Sequence, residues 1–250
     1  MFDLQDYSIT STSGITITNT GTIEIKNGTI DCTANAITIE NKGRGVINIT
    51  GGTINGSKSN TIKSYGKVIM TGGTVTGSAP NSGVFDVEAG GYLEMSGGEI
   101  KGTGHRQALY NNGGTIIISG TSYLSNTGAD RAAVHNYLGT MTITGGTIIS
   151  VNQTAVLNGD RENNASTATL TIGVDDTNMD ITTPVIQGKL YGLQANSGLH
   201  VTVYDGFFKG VEGAINDETL IDHDENLDFV HGTEAINADT YDTAYLDETT

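Results

Sequence analysis

The stretch INITGGTINGS, residues 47–57, is repeated several times along this chain. It returns as VIMTGGTVTGS at 68–78, LEMSGGEIKGT at 93–103 and MTITGGTIISV at 141–151. With the first glycine of each pair as the anchor, equivalent positions recur every 21 to 31 residues, a period typical of solenoid proteins. The anchor positions are Asn27, Gly51, Gly72, Gly97, Gly120, Gly145, Val174 and Asp205.

Apolar residues recur at fixed distances before each anchor. Two residues before the anchors the chain has Ile25, Ile49, Met70, Met95, Ile118, Ile143, Ile172 and Val203. Four residues before the anchors it has Ile23, Ile47, Val68, Leu93, Ile116, Met141, Leu170 and Val201. The residue between these two positions varies in polarity, so the pattern predicts a strand with one buried face in every repeat.

A second apolar column follows the anchors, and a third strand is predicted after it. The inward residues of this third strand are predicted to be Ile37, Ile62, Val84, Leu109, Val134, Val156, Leu193 and Ile215. Three short strands per repeat and glycine corners predict an all-β fold, a right-handed parallel β-helix of about eight coils. Coils stacked ~4.8 Å apart would make a rod of ~40 Å. The chain has no LxxLxL pattern and no helical periodicity, which excludes a leucine-rich horseshoe.

The third strand is followed by a short polar column and, at the end of the chain, by an acidic segment. The column contains Ser64, Asp86, Asn111, Asn136, Asn158 and Asp217, which we expect to form a structural ladder of corner hydrogen bonds. The repeat is lost after it. We therefore predict a β-helix over residues 1–216 and an acidic C-terminal cap and linker over 217–250.

Composition limits the classes of partner. The formal charge is −16, and residues 217–250 hold 11 of the 28 acidic residues without any Lys or Arg. Such a charge disfavours nucleic acid and anionic membranes as partners.

The chain has no apolar run of 18 residues, which predicts no transmembrane helix, and its first residues do not resemble a signal peptide. The single cysteine, Cys32, predicts neither a disulfide framework nor a thiolate metal cluster.

Several segments resemble the repeats of known surface proteins. GTIIISG (114–120), MTITGGTI (141–148) and ALYNNGGTI (108–116) resemble repeats of bacterial adhesins built on the pectate-lyase-like right-handed β-helix. ALYNN, together with GAIND at 213–217, is also similar to the repeats of polymorphic outer-membrane passengers. The resemblance covers roughly residues 14–217. It implies an extracellular location at a bacterial cell surface and a role as an adhesin or stalk domain.

Enzymes with the pectate-lyase-like fold cleave acidic polysaccharides, so the resemblance also implies a candidate catalytic site. Asp175–Asp176 and TGHRQ at 103–107 are the nearest matches to a polygalacturonase-like site, and the remaining elements of that site are missing. Glu24 and Glu94 face outward three coils or ~14 Å apart, beyond the ~5–10 Å that paired carboxylates need in glycoside hydrolysis. The sequence therefore predicts a protein that is not an enzyme, with a polysaccharide lyase or glycoside hydrolase as the alternative.

One set of outward residues suits a ligand. The outward residues of the third strand are predicted to be Thr38, Lys63, Phe85, Tyr110, His135, Leu157, Gln194 and Asn216. Arg106 and Arg131 precede this strand on neighbouring coils, and Asp130 is a potential local counter-ion. Arginines beside aromatic rings suit a sugar with carboxylate or sulfate groups. The predicted ligand-binding residues are Phe85, Arg106, Tyr110, Arg131 and His135. Ordinary cross-strand packing and solvated charge are the alternative account.

Loops and the acidic segment offer further possibilities. The longer loops at 158–167 and 175–190 are candidate functional segments, although insertions also accumulate in solenoids without a function. DHDENLD at 222–228 has the composition of a calcium loop but lacks the glycine and the last carboxylate of the EF-hand pattern. We expect no cofactor, with calcium in the acidic segment as the alternative.

The sequence as a whole predicts an extracellular adhesin domain that binds glycan, or another host-surface ligand, without catalysis. We expect a monomeric domain of a larger bacterial surface protein. A passive stalk that holds another domain away from the cell wall is a further alternative.

Overall fold

The structure is a computed structural model, and it describes residues 4–5, 7–160, 167–175, 182–196 and 200–223. This part of the chain contains β-strands and one short 3-10 helix, Glu218–Leu220. No helix in it is long and apolar enough to cross a membrane. The strands are β1 (Ser8–Ser11), β2 (Ile17–Asn19), β3 (Thr22–Ile25), β4 (Thr29–Cys32), β5 (Ile39–Asn41), β6 (Val46–Gly56), β7 (Ile62–Ser64), β8 (Lys67–Gly77), β9 (Phe85–Glu88), β10 (Tyr92–Gly102), β11 (Leu109–Asn112), β12 (Thr115–Ile118), β13 (Tyr123–Asn126), β14 (Val134–Asn136), β15 (Thr140–Ile143), β16 (Thr147–Ser150), β17 (Val156–Asn158), β18 (Thr169–Ile172), β19 (Val185–Gly188), β20 (Tyr191–Ala195), β21 (His200–Val203), β22 (Phe207–Lys209), β23 (Gly213–Ile215) and β24 (Asp222–His223).

The strands form two parallel sheets around one apolar core. A 15-stranded sheet carries the first and second strands of the coils, and a nine-stranded sheet carries the third strands in the order β2-β5-β7-β9-β11-β14-β17-β20-β23. Each strand pairs in parallel with the equivalent strand of the next coil, for example β11 with β14. The protein is therefore a parallel β-helix of about eight turns, and the predicted fold class is confirmed.

The glycine pair lies inside a continuous strand in the regular coils. β6, β8 and β10 have 11 residues each and run through the corner, where the pairing register shifts beside the glycines. The second glycine of β8, Gly73, has a φ of 80°, and a Cβ atom there would lie 2.7 Å from the carbonyl oxygen of Gly51 in the previous coil. Only glycine fits this corner, because a side chain would be both strained and in contact with backbone.

The apolar columns before the anchors form the core. The residues two positions before the anchors, from Ile25 to Val203, are at most 1% exposed. Those four positions before the anchors are also buried, except Ile23, which packs against the core from the N-terminal coil. Each buried aliphatic side chain contributes about 1.5–3 kcal/mol to stability. The inward columns predicted from the sequence are thus confirmed for the first strand of each coil.

The registers of β5 and β9 differ from the prediction. In β5, Ile39 and not Ile37 pairs with the inward Ile62, and Thr38, which was predicted to face outward, is buried.

For β9, the sequence placed Val84 inward and Phe85 outward. Val84 is buried in the core, but the outward placement of Phe85 was wrong. Phe85 is fully buried and pairs with the inward Leu109. Phe85 and Val87 alternate with Asp86, so the observed register buries two apolar side chains and turns the carboxylate outward.

An asparagine ladder runs up one corner of the β-helix. Asn19 Nδ2 donates to Asn41 Oδ1 at 2.8 Å, and Asn136 Nδ2 donates to Asn158 Oδ1 at 2.7 Å. The same side chains also bond to corner carbonyls, for example Asn136 Nδ2 to the oxygen of Thr169. The ladder satisfies buried backbone groups, as predicted. Its members are Asn19, Asn41, Ser64, Asn111, Asn136 and Asn158.

The ladder is interrupted once and stops before the last coils. Val87 lies in register between Ser64 and Asn111, so Asp86, which the sequence assigned to this column, is not a member. Above the ladder, Ala195 pairs with Asn158, and Asn158 Nδ2 has no hydrogen-bond partner among the described residues. The ladder therefore consists of two separate runs.

Replacing Asn136 by alanine tests the ladder. The substitution removes the acceptor of Asn111 Nδ2 and the donors to Asn158 Oδ1 and to the Thr169 carbonyl. We expect the free energy of unfolding to fall by about 2–4 kcal/mol, measured by urea denaturation. Asn158→Ala is the control and should cost less, because its Nδ2 already lacks a partner in the described structure. Equal costs would contradict a ladder built on side-chain hydrogen bonds.

Candidate functional site

A groove of about 460 Å³ opens on the outward side of the third strands. We call it the third-strand groove. Residues from successive coils line it, among them Lys63, Asp86, Arg106, Tyr110, Arg131 and His135. Parallel pairing places Lys63 beside Asp86, Asp86 beside Tyr110, and Tyr110 beside His135. The groove therefore follows the rod axis across several coils.

The structure brings together four of the five predicted site residues. Arg106, Tyr110, Arg131 and His135 all line the third-strand groove. Phe85 does not, because it is fully buried in the core and its predicted outward place is taken by Asp86. The candidate site therefore keeps its two arginines and two of its rings, and gains a carboxylate.

Arg106 and Arg131, here called the arginine pair, occupy equivalent places on adjacent coils. Each lies three residues before a strand start, and these starts, Leu109 and Val134, pair with each other. In the described part of the chain, neither guanidinium forms an ion pair. Asp130, the predicted counter-ion, instead contacts His105 Nδ1 at 2.7 Å. Two cations thus face the groove side by side.

Three rings form an aromatic cluster beside the arginine pair: Tyr110, His135 and Tyr137. The Tyr110 and Tyr137 rings are nearly parallel at 21° with centroids 5.9 Å apart, and His135 lies 5.2 Å from Tyr110. His135 Nε2 is 2.7 Å from the carbonyl oxygen of Gly159, to which it donates, and this contact fixes the ring. Burial, followed by the charges of Tyr137 and Asp86, raises the pKa of Tyr110, so its hydroxyl remains neutral.

Lys63 is the third cation of the groove, but it is already paired. Its Nζ lies 2.7 Å from Glu88 Oε1. Burial lowers the pKa of Lys63, while Glu88 and, to a smaller extent, Tyr65 raise it, so the net shift is upward and the amine stays charged. Glu88 also accepts a hydrogen bond from Asn112. Because Glu88 neutralises Lys63, the arginine pair supplies the charge available to a ligand.

Asp86 is a buried carboxyl group in the wall of the groove. It is 9% exposed, and its Oδ2 accepts a hydrogen bond from Asn60 at 2.6 Å, while its Oδ1 has no partner in the described structure. Burial, reinforced by the charge of Glu88, raises the pKa of Asp86 to about 7, although Asn60, Lys63 and Arg106 act in the opposite direction. Asp86 therefore changes charge near neutral pH.

Sequence reasoning missed Asp86, Asn60 and Tyr137 as groove residues. The alternation of Phe85, Asp86 and Val87 was the available signal for Asp86. Tyr137 follows the predicted corner directly, and its place beside the outward column is visible only once the corner is folded. Asn60 comes from the turn before β7, whose path the sequence pattern does not define.

The other predicted sites lie mostly outside the described residues. Asp175 is exposed, and Asp176 falls outside the described part of the chain. Residues 161–166 of the predicted loop 158–167 and residues 176–181 of the predicted loop 175–190 also lie outside it. The predicted calcium segment is described only as far as residue 223. Within the described ranges there is no group of three or more His, Cys, Asp or Glu residues that could hold a metal ion.

Comparison with known proteins gives no assignment. No family model matches the chain, and neither a curated protein nor a solved structure matches it. The candidate site is therefore defined by its own geometry.

The charge of Asp86 makes stability depend on pH. Because its pKa is higher in the folded protein than the ordinary value of 3.8, the folded state binds the proton more tightly, and stability is lost as pH rises through about 7. Relative to Asp86→Asn, we expect the wild-type protein to lose about 2–3 kcal/mol of unfolding free energy between pH 5 and pH 8.

Urea unfolding of both proteins at the two pH values gives this difference directly. Asp175→Asn, at an exposed position, is the matched control and should follow the wild-type profile. Identical pH profiles for the wild type and Asp86→Asn would show that Asp86 has an ordinary pKa.

Proposed function

We propose that this β-helix is a glycan-binding adhesin domain of a bacterial surface protein, and that the third-strand groove binds an acidic sugar without catalysis. The observation that carries the proposal is the arginine pair. Its guanidinium groups lie on adjacent coils in a groove and have no ion-pair partner among the described residues. The resemblance of the repeats to bacterial adhesins supports the extracellular setting.

An anionic ligand group suits the arginine pair. Adjacent coils are ~4.8 Å apart, and two like charges at that distance repel each other. A carboxylate or sulfate between them removes the repulsion and accepts bidentate hydrogen bonds. The charge of the whole chain, −16, repels such a ligand at long range, but at physiological salt charges more than ~8 Å away are largely screened. The nearby cations therefore decide the interaction.

The aromatic cluster suits the sugar ring itself. Rings such as Tyr110 and Tyr137 offer apolar faces to the carbon–hydrogen side of a sugar, and the neutral Tyr110 hydroxyl can donate or accept a hydrogen bond. His135 is fixed by its bond to the Gly159 carbonyl, so part of the cluster is ordered before a ligand arrives. Fixed rings reduce the entropy lost on binding.

Cleavage of an acidic polysaccharide is the second candidate function, and Asp86 is the observation that favours it. A carboxyl group whose pKa is about 7 suits general acid–base chemistry at neutral pH, and Asp86 lines the same groove as the arginine pair. Release of shortened or unsaturated products, lost in Asp86→Asn, would establish the enzyme. A passive stalk would show neither product nor saturable binding.

Binding to a panel of neutral, uronic-acid and sulfated glycans tests the proposal, with and without calcium. We expect acidic glycans to bind and the double variant Arg106→Ala/Arg131→Ala to lose at least about tenfold in affinity, because each charge-assisted bond contributes about 1.5–3 kcal/mol before compensation. Titration calorimetry with the best glycan measures the dissociation constant.

The double variant Arg44→Ala/Lys58→Ala is the matched control. It removes two exposed cations elsewhere on the β-helix and changes the net charge by the same amount, and its affinity should equal that of the wild type. Binding that survives Arg106→Ala/Arg131→Ala would remove the arginine pair from the site. Absence of binding to every glycan would favour a stalk or a protein-binding surface.

A further inference from the structure

Asn126, the last residue of β13, is a buried amide on the inner side of the arginine pair. It is fully buried and pairs in register with Gly102 on β10 and Ser150 on β16. Every equivalent residue in the other described coils is smaller. These residues are Ser11, Cys32, Gly56, Gly77, Gly102, Ser150 and Gly188. A buried amide at this position is therefore specific to the coil that contains β13.

The Asn126 amide bonds to the turns that carry both arginines. Its Nδ2 donates to the carbonyl oxygens of Arg106 at 3.1 Å, Arg131 at 3.0 Å and Ala132 at 3.3 Å. Its Oδ1 accepts a hydrogen bond from the Gly128 backbone at 3.1 Å. The amide has two hydrogens for three acceptors, so one hydrogen is shared. One side chain thus joins the turn of its own coil to the turn of the previous coil.

These contacts fix the spacing of the arginine pair. Because one nitrogen atom lies within 3.1 Å of both arginine carbonyls, the two carbonyl oxygens cannot be much more than ~6 Å apart, close to the ~4.8 Å between neighbouring strands. Gly102 leaves room for the amide, since a Cβ atom there would lie 2.8 Å from Asn126 Oδ1. Repulsion between the guanidinium groups favours separation of the turns, and the amide opposes it.

We propose that Asn126 is a positioning residue of the third-strand groove, which holds Arg106 and Arg131 side by side so that one anionic group of a ligand contacts both. The proposal rests on the glycan-binding function proposed above and adds the residue that sets the geometry of the anion site. Asn126 does not touch the ligand. It acts through the backbone of the two arginine turns.

A double-mutant cycle measures whether the two arginines act together. The probe is trigalacturonic acid, and its methyl ester serves as the uncharged comparison. Dissociation constants are measured at 25 °C for the wild type, Arg106→Gln, Arg131→Gln and the double variant. We expect a coupling of about threefold or more between the arginines, as for residues that share one partner. The same cycle is then repeated in an Asn126→Ser background, which introduces the residue found at the equivalent place on the next coil.

In the Asn126→Ser background we expect the two arginine substitutions to become additive, although the protein remains folded. Asn111→Ser is the matched control, because Asn111 is an equally buried amide that bonds to neighbouring corners, and Ser64 already occupies its place two coils earlier. It should lower stability and leave the coupling intact. Should Asn126→Ser not fold, Asn126→Asp replaces it, since it keeps the shape of the side chain and removes the amide donors.

Each outcome decides a different point. Coupling that persists without the Asn126 amide would overturn the positioning role while the glycan-binding function stands. Coupling lost equally in Asn111→Ser would reduce Asn126 to a general structural role. If the wild type does not bind the probe, or if the arginine double variant binds it equally well, the proposed anion site itself is wrong, and the role of Asn126 is overturned with it.

Discussion

Hydrogen bonding between successive coils is the constraint on which the rest of this protein depends. In a parallel stack, the backbone groups of each strand pair with the strands of the coils on either side, ~4.8 Å away. Each strand residue then lies directly above its equivalent in the previous coil. The same type of residue is therefore needed at that position in successive coils, and together these residues form a column. Inward columns are mostly apolar, many corners contain glycine or an amide that bonds to the backbone, and outward columns place side chains of successive coils next to each other.

This constraint explains why the fold could be predicted from the sequence. The columns from Ile25 to Val203 are visible without a structure, because burial at every level demands the same residue type. The register of β9 could not be obtained by counting from the glycine pair. The turn from Gly77 to Phe85 is one residue longer than the turn from Gly102 to Leu109, and a shift of one residue exchanges the two faces of a strand.

The candidate site was predictable where the coils are alike and unpredictable where they differ. Arg106 and Arg131 could be placed together because each precedes its paired strand by the same number of residues. The roles of Asp86 and Asn126 depend on turns that approach from other coils. A polar residue at the end of an inward column has no periodic signal, and the hydrogen bonds that satisfy it appear only when the turns are folded.

The interruption of the ladder at Val87 has a mechanical consequence. A rod that is stretched along its axis carries the same load at every coil interface, because the interfaces are connected in series. At the level of β9, hydrogen bonds to carboxylates replace the amide ladder. Asn60 of the previous coil donates to Asp86, and Asn112 of the next coil donates to Glu88. Elsewhere in the ladder the corresponding bonds join neutral groups. A change in the charge of Asp86 therefore alters the side-chain bonding that carries load at this interface, beside the groove.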